Sequence, residues 1–265
     1  MNQQHKKLET ENGTVHYWIS SNTDSRAISL VFSHGLTADH TMFEKQVEYF
    51  EKTCTVITWD VPMHGLSRPY KNFSYENTAK ALKGIIDQEG IEKVFLVGMS
   101  MGGYPSQEFA HRYPENVIAM VMLDTTPFGL NYYSKSDLWW LKKVAPLAKL
   151  FPDWMLRESM AKSVSKTDYS YQKMIEMLKP FSKAAIIEQM DIAYGEFARE
   201  NKDVQFNCPV LLLLGDSDKT GKVRQYNEAW NMNTGYPLHI IKNAAHFSNG
   251  DNSEQVNWEI KQFCT

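Results

Sequence analysis

The sequence has few cysteines, glycines and prolines, and each shortage excludes a class of protein. Its 265 residues include three cysteines, Cys54, Cys208 and Cys264, an odd number without the close pairing of a zinc site. These cysteines favour reduced thiols in a cytoplasmic protein over a framework of disulfides. The 14 glycines and 10 prolines are too few for a collagen-like chain or a linker.

An excess of positive charge and a long apolar run are also missing. The 28 basic and 31 acidic residues give a net charge of −3, so there is no basic stripe for nucleic acid and we expect no such partner. No window approaches ~18 uninterrupted apolar residues, so we expect no membrane-spanning segment. The N-terminal residues MNQQHKKLETENG also lack the apolar core of a signal peptide. What is present, 43% hydrophobic and 22% charged residues, is typical of a folded globular protein.

Short apolar runs alternate with helical patterns in the first half of the chain and again near its end. Several of these runs are almost continuously apolar, which is typical of strands covered by helices on both faces. The alternation therefore predicts an α/β fold with a mainly parallel sheet. The expected strands are residues 14–20, 28–33, 53–59, 93–97, 117–123, 209–214 and 238–241. The expected helices between and after them are residues 41–52, 75–89, 101–113, 221–232 and 253–264.

The alternation stops between Phe128 and about Glu200, where we find four helical stretches and no strand pattern. We therefore expect residues 1–127 and 201–265 to form one core, with residues 128–200 inserted into it as a helical cap. The insertion contains twelve aromatic residues and five methionines, more apolar surface than a small cap can bury within itself. Part of it should face the core and roof an apolar pocket. The alternative is that these residues only attach the cap to the core.

The sharpest motif is Gly98-Met-Ser-Met-Gly102, followed by Gly103, between an expected strand and an expected helix. A serine on a tight strand-to-helix turn is held in a strained backbone conformation, and only small neighbours fit around it. The N-terminus of the next helix favours negative charge that develops beside the serine. Ser100 is therefore the candidate nucleophile, and the simpler alternative is that it only caps the helix.

A serine hydroxyl needs a base to become a nucleophile, and the base needs a carboxylate to orient it. Of the eight histidines, His246 follows the last expected strand, where it would lie at the same sheet edge as Ser100. Asp218, in the loop after a buried strand, is the favoured carboxylate. Asp124, at the end of another strand, is its rival, and Asp216 is expected to brace its own turn.

Negative charge on the carbonyl oxygen of a tetrahedral intermediate needs preorganised N–H donors. One candidate is the amide of Met101, directly after the candidate nucleophile. The other is the amide of Leu36, because Gly35 permits a turn in the loop that follows the strand at residues 28–33. His34 belongs to the same loop, and we expect it to brace the loop through hydrogen bonds rather than to catalyse.

Together these motifs resemble the alpha/beta-hydrolase superfamily, in particular its lid-bearing serine esterase and lipase-like branch. The resemblance implies an eight-stranded, mostly parallel sheet with helices on both faces and an inserted helical cap. It also implies a triad of Ser100, Asp218 and His246 and oxyanion donors at Leu36 and Met101. The likeness is carried by His34-Gly35, Asp60-x-Pro-x-His64-Gly65-x-Ser67, Gly98–Gly103, Gly215-x-x-Asp218 and His246.

Four positions need comment beside that resemblance. Asp60 and His64 look like an acid–base pair, but in relatives of this kind their segment mainly stabilises a turn. Ala245 stands where the family usually has glycine, so we expect the loop around His246 to be set differently from the usual one. Pro105 falls near the first turn of its helix, where a missing N–H costs little.

The resemblance implies a serine hydrolase that cleaves a carboxylic ester of a small or medium, largely apolar substrate through an acyl-enzyme. Haloalkane dehalogenases and epoxide hydrolases of the superfamily have aspartate at the position of Ser100, so serine argues against those reactions. The same triad would serve a lactonase, a thioesterase, a carbon–carbon bond hydrolase or a perhydrolase. A ligand-binding relative without catalysis is the remaining alternative. We expect no cofactor and no metal, since no ligand cluster is visible in the sequence.

Overall fold

A computed structural model describes residues 3–20 and 27–264 of the chain. Within these residues eight strands form one sheet, in the spatial order β1-β2-β4-β3-β5-β6-β7-β8. The two pairs that involve β2 are antiparallel and the other five are parallel, so the predicted eight-stranded, mostly parallel sheet is confirmed. The strands are β1 (Gln4–Thr10), β2 (Gly13–Ser20), β3 (Ser29–Ser33), β4 (Thr55–Trp59), β5 (Val94–Met99), β6 (Val117–Leu123), β7 (Val210–Gly215) and β8 (Leu238–Ile241).

Helices cover both faces of this sheet, as the apolar strands predicted. Leu30 and Phe32 of β3 share one apolar cluster with α1 and α10, whereas Val31 of the same strand belongs to a second cluster with α2 and α3. This division follows from the alternation of side chains along a strand. The helices are α1 (Glu44–Phe50), α2 (Tyr75–Gln88), α3 (Gly103–Arg112), α4 (Lys135–Ala148), α5 (Asp153–Val164), α6 (Asp168–Leu178), α7 (Lys183–Glu200), α8 (Val223–Thr234), α9 (Ser248–Asp251) and α10 (Ser253–Cys264).

Strand β1 is the strand of the sheet that the apolar pattern did not predict. Its sequence, QHKKLET, is polar, and most of its side chains are at least partly exposed because it is an edge strand that pairs only with β2. Leu8 is its apolar residue, and it packs against the α2 side of the sheet, next to Gly84. A solvated edge strand keeps charged residues on both faces, so it lacks the periodic signal of a buried strand.

Helices α4 to α7 lie between β6 and β7 and contain all the regular helix of residues 134–200, which we call the helical segment. α4 packs along α7, and α5 packs along α6. Ile186 and Met190 join the apolar cluster that contains α1, and Phe197 joins the cluster that contains α2. The segment is therefore continuous with the core, while cap boundaries at residues 128 and 200 stay a prediction. None of the described helices has the length and apolarity that crossing a membrane requires.

Candidate active site

Ser100 lies at the tip of a tight turn between β5 and α3. Its φ of +51° is in the left-handed region, which a non-glycine residue adopts only under strain. The neighbouring glycines are needed for space, since a Cβ on Gly98 would lie 2.6 Å from the carbonyl oxygen of Gly102. A Cβ on Gly103 would contact the side chain of Thr125, which in turn donates a hydrogen bond to the Ser100 carbonyl at 2.6 Å. Close packing on every side thus holds the strained serine in place.

The structure brings Ser100, His246 and Asp218 together in one hydrogen-bonded row. The Nε2 atom of His246 lies 2.8 Å from the Ser100 Oγ, and its Nδ1 atom lies 2.8 Å from the Asp218 Oδ2. The other oxygen of Asp218 accepts a hydrogen bond from the Thr220 N–H at 2.8 Å. His246 and Asp218 are each only 5% exposed, so little water competes for these bonds.

Burial and charge act in opposite directions on this pair. Burial alone would raise the pKa of Asp218, but the hydrogen bond and charge of His246 outweigh it, so the pKa of Asp218 is lowered. Burial alone would lower the pKa of His246, but the hydrogen bond and charge of Asp218, together with the charge of Asp124, raise it above its usual value. The row is therefore set up to hold a proton on the imidazole when the serine gives one up.

The other two candidate carboxylates lie behind this row and brace it. Asp124 is completely buried and accepts hydrogen bonds from the Gly215 N–H at 2.7 Å and from the Ser248 hydroxyl. Burial raises the pKa of Asp124 to about 7. Asp216 accepts from the Asn243 N–H at 2.8 Å and thereby closes the loop before His246. In this geometry Asp218, and neither of the other two, bonds to the imidazole.

These groups also form the one acidic and histidine cluster with metal-ligand spacing in the described chain. One atom from each of Asp124, Asp218 and His246 lies within 4.8 Å of the others. Both ring nitrogens of His246 and both oxygens of each carboxylate already take part in hydrogen bonds within the protein. The arrangement is that of a hydrogen-bonded relay.

The loop after β3 lies against the serine turn, where oxyanion donors were expected. A Cβ built on Gly35 would lie 3.4 Å from the Ser100 Cβ, and Leu36 lines a cavity together with Ser100. His34 braces this loop: its Nδ1 lies 2.8 Å from the Gly35 carbonyl, and its Nε2 accepts the Val61 N–H at 3.0 Å. Burial lowers the pKa of His34. The amide of Met101 opens the first turn of a helix, where N–H groups have no helical acceptor.

Asp60 and His64 are buried in the turn after β4 and line neither cavity beside Ser100. Asp60 accepts hydrogen bonds from the backbone and ring of His40 at 2.9 and 2.8 Å, and from the Leu66 N–H at 2.6 Å. The His64 ring bonds to the Pro62 carbonyl rather than to Asp60, and burial lowers its pKa to about 3. Their contacts are those of a braced turn.

The two unusual positions near the site are accommodated locally. In the loop before His246 the residue with positive φ is Asn243, at +55°, so Ala245 does not need the freedom of glycine. The Ala245 N–H donates to the Asp251 carboxylate at 2.9 Å. Pro105 lies in the first turn of α3, where its missing N–H has no helical acceptor to lose.

Two cavities meet at Ser100, and their walls include Tyr194, Thr220 and His246 in common. The smaller, of about 180 Å³, is bounded by apolar side chains that are largely methionine. The larger, of about 610 Å³, has aromatic and polar walls. The methionines around the smaller cavity are Met42, Met99, Met160, Met174 and Met190. The aromatic residues around the larger cavity are Tyr104, Tyr133, Trp140, Tyr194, Phe197 and Tyr226.

The sequence reasoning did not single out Tyr194 or Thr220. Tyr194 lies on α7, and its position over Ser100 depends on how the helical segment packs on the core, which a local pattern does not contain. Thr220 follows Asp218 by two residues, so its short distance in sequence was the one signal that could have marked it. The expected apolar roof has a counterpart here, since Met160, Met174 and Met190 come from α5, α6 and α7.

The fold is a mostly parallel sheet covered by helices on both faces, with a strained serine, a histidine and an aspartate at its strand ends. These features define a class of protein, and sequence comparison identifies the family. The sequence model of the alpha/beta hydrolase fold matches residues 28–253, and the chain belongs to that family. It is 34% identical over 85 residues to "3-oxoadipate enol-lactonase 1" of Acinetobacter baylyi, a match that covers 32% of each chain.

Two longer matches extend over the core. The chain is 25% identical over 233 residues to "2-(acetamidomethylene)succinate hydrolase" of Mesorhizobium japonicum, which covers 83% of this chain and 82% of the relative. Among solved structures, a thermophilic esterase from Thermogutta terrifontis superposes with a TM-score of 0.77 at 21% identity, over 98% of both chains. This structural likeness shows the fold, and family membership gives the coarse class, a hydrolase of the alpha/beta type.

Proposed function

We propose that this protein is a serine hydrolase that cleaves a carboxylic ester through an acyl-enzyme. The observation that carries the proposal is the row from Ser100 through His246 to Asp218, with both links at 2.8 Å, placed where two cavities meet. An ester has a group on each side of its reacting carbon. A nucleophile at the junction of two cavities has room for both groups.

The residues of the row have distinct roles in this mechanism. The Ser100 Oγ attacks the ester carbonyl carbon while the His246 Nε2 takes its proton, and Asp218 stabilises the resulting imidazolium. The N–H groups of Leu36 and Met101 stabilise the carbonyl oxygen as it becomes negative. His246 then gives the proton to the departing alkoxide, which leaves an acyl-enzyme. Water attacks this acyl group with His246 as base, and the acid departs as Ser100 regains its proton.

The walls of the cavities favour an uncharged, largely apolar ester of small or medium size. Among the described residues that line them, Lys222 is the only lysine or arginine, and it is held in an ion pair with Asp137 at 2.6 Å. A substrate with free carboxylates would need an unpaired cation to replace its hydration. The succinate-type substrate named for the Mesorhizobium japonicum relative would need such a cation, and the described walls of these cavities do not supply one. Methionine walls adapt to apolar groups of varied shape.

In this proposal residues 128–200 act as a cap that closes the substrate site. Met160 and Met190 of the helical segment wall the smaller cavity, Leu141 and Phe197 wall the larger, and Tyr194 reaches both. Removing the segment would leave Ser100 at an open sheet edge, so the cap supplies most of the apolar contact available to a substrate.

A lactone is the second candidate substrate, because a lactone is a cyclic ester and needs no different chemistry. The relative from Acinetobacter baylyi is named as an enol-lactonase, and its 85 matched residues are the observation that favours this candidate. A lactone opens into one product that carries both the acid and the alcohol. Both ends would then occupy the two connected cavities at once.

The test is labelling with a fluorophosphonate probe, mapped by peptide mass, beside turnover of p-nitrophenyl esters and a γ-lactone. We expect one adduct, on Ser100, and hydrolysis of short- to medium-chain esters. Ser106→Ala removes a buried serine hydroxyl in α3, six residues further along the chain, and as the matched control it should still label. An adduct on any other residue, or an adduct without turnover of any ester or lactone, would refute the proposal.

A further inference from the structure

Helix α4 buries one apolar face and exposes large apolar side chains on the other. Ala145 and Ala148 are buried against the molecule, on the side that packs along α7. An amphipathic surface helix normally carries polar residues on its other face. Here the exposed face carries large apolar side chains among its lysines, and further apolar side chains stay exposed into the start of α5. These exposed side chains, which we call the aromatic surface, are Trp139, Trp140, Leu147, Leu150, Phe151, Trp154 and Met155.

The aromatic surface is unlike the rest of the described exterior. Of the 14 large apolar side chains that are exposed there, these seven fall within residues 139–155. Leu150 is 79% exposed and Trp154 is 64% exposed. The other exposed apolar residues, such as Trp258 and Met232, are scattered, which is normal for a folded protein. Half of the exposed large apolar side chains thus fall within one short segment, and such a concentration is typical of an interaction site.

Positive charge surrounds this apolar surface although the whole chain is negative. Residues 135–157 contain five lysines and arginines and two aspartates, whereas the chain as a whole has a net charge of −3. Both aspartates are already paired, Asp137 with Lys222 and Asp153 with Arg157. Lys143 lies 5.2 Å from the ring centre of Trp139. The lysines of the surface, all exposed, are Lys135, Lys142, Lys143 and Lys149.

We propose that the aromatic surface binds an anionic lipid bilayer, with α4 lying in the plane of the interface. Tryptophan favours the boundary between hydrocarbon and water, and lysines beside an apolar stripe add attraction to anionic headgroups. A second copy of this chain fits the surface less well. A twofold contact would set the same patch against itself and bring two groups of lysines together.

The surface lies beside the candidate active site. Trp140 belongs both to the aromatic surface and to the wall of the larger cavity, next to Leu141 and Val144. A bilayer bound here would therefore hold its apolar molecules close to the entrance of that cavity. Binding itself uses none of the proposed chemistry, so it stands or falls independently of the proposed function.

The experiment is co-sedimentation of the Ser100→Ala variant with vesicles, which excludes any effect of hydrolysis. Equimolar phosphatidylcholine and phosphatidylglycerol should pellet the protein and shift its tryptophan emission to the blue, and phosphatidylcholine alone should bind about a hundredfold less. Trp139→Ala with Trp154→Ala should weaken binding, whereas Trp258→Ala, a matched control at 55% exposure on α10, should not.

Lys142→Gln with Lys143→Gln should weaken binding by about tenfold. Lys71→Gln with Lys242→Gln removes the same charge elsewhere and should have little effect.

Three results would overturn the proposal. The first is no binding to the anionic vesicles. The second is an equal loss of binding in the Trp258→Ala control, which would show that the vesicles do not recognise this surface. The third is sedimentation velocity that finds a dimer broken by Trp139→Ala with Trp154→Ala, since a second copy would then occupy the surface. All the tryptophans and lysines that are substituted are exposed, so melting curves unchanged from that of Ser100→Ala verify that each variant is folded.

Discussion

The sheet edge around Ser100 and the helical segment beside it are built from different kinds of contact. At the edge, buried polar groups such as His34, Asp60 and Asp124 each make directional hydrogen bonds to backbone or side chains. The helical segment instead meets the site through methionine and aromatic side chains. Directional bonds fix atoms to within tenths of an ångström, whereas apolar contacts set only volume and shape. The hydrogen-bonded edge therefore positions the reacting groups, whereas the apolar walls determine which substrates fit.

The largest expected effect comes from removing the nucleophile at the rigid edge. Ser100→Ala should lower kcat for p-nitrophenyl butyrate by about 10⁴-fold or more, since the rest of the row cannot act without the serine. Circular dichroism and the melting temperature should stay close to those of the unaltered protein, because the change removes one partly exposed hydroxyl. Retention of ester hydrolysis by this variant would show that Ser100 is not the nucleophile and that the sheet edge is not where the reaction takes place.

Two buried carboxylates lie behind His246, and exchanging each for its amide should distinguish them. Asp218→Asn should lower kcat by about 10⁴-fold, because an amide at that position favours the wrong imidazole tautomer. Asp124→Asn keeps an acceptor for the Gly215 N–H and should leave maximal kcat within about tenfold of the unaltered value. Steady-state kinetics of both variants on one ester measures the contrast. A larger loss for Asp124→Asn would transfer the orienting role to that residue.

The pH dependence provides a finer test of the same edge. The imidazole must be neutral to act as base, and its pKa is raised, so log(kcat/KM) should fall with decreasing pH about a midpoint above the usual 6.5. The charge of Asp124 contributes to that rise, so Asp124→Asn should move the midpoint to lower pH. Profiles between pH 5 and 9 would be compared, with Asp216→Asn, an exposed carboxylate that contacts the His246 loop, as the control. A midpoint that moves upward in Asp124→Asn would contradict this account.

Much of the sheet could be predicted because buried parallel strands are continuously apolar. The expected bounds of β6 and β8, residues 117–123 and 238–241, coincide with those of the structure. β1 could not be predicted in this way, because an exposed edge strand has no apolar period. The prediction that the sheet has an eighth strand came from the resemblance to a known family rather than from the pattern of residues.

Part of the candidate site could be predicted from the sequence and part could not. Ser100, Asp218 and His246 each follow a strand of a parallel sheet, and the carboxyl ends of such strands meet at one edge, so their approach could be predicted. The sequence favoured Asp218 over Asp124 because Asp218 lies further into its loop, and in the structure it is Asp218 that bonds to the imidazole. The cavity walls depend on how α4 to α7 pack on the core, which is set by long-range contacts. The sequence identified the apolar content of these helices but not which side chains face Ser100.

The smallest expected effect tests the apolar side of the comparison. Met160 and Leu141 are both partly buried, and each lines only one of the two cavities. Met160→Ala enlarges the smaller cavity and Leu141→Ala the larger, so each should relax the length limit on one side of the ester. We expect about tenfold changes in relative kcat/KM along that series, because one methylene in an apolar pocket has an effect of this size.

Two series of esters, one with a growing acid and one with a growing alcohol, identify which cavity receives which group. If the cavities are separate subsites, Met160→Ala shifts the optimum in one series and Leu141→Ala shifts it in the other. A shift of the same series by both variants would show that the substrate occupies one joined space, with Tyr194 and Thr220 no longer a division between two. Because neither substitution touches the row from Ser100 to Asp218, the acid limb of the pH profile should be the same in both variants. The preference for ester length could then be changed without changing the catalytic residues, as the contrast between apolar and hydrogen-bonded contacts predicts.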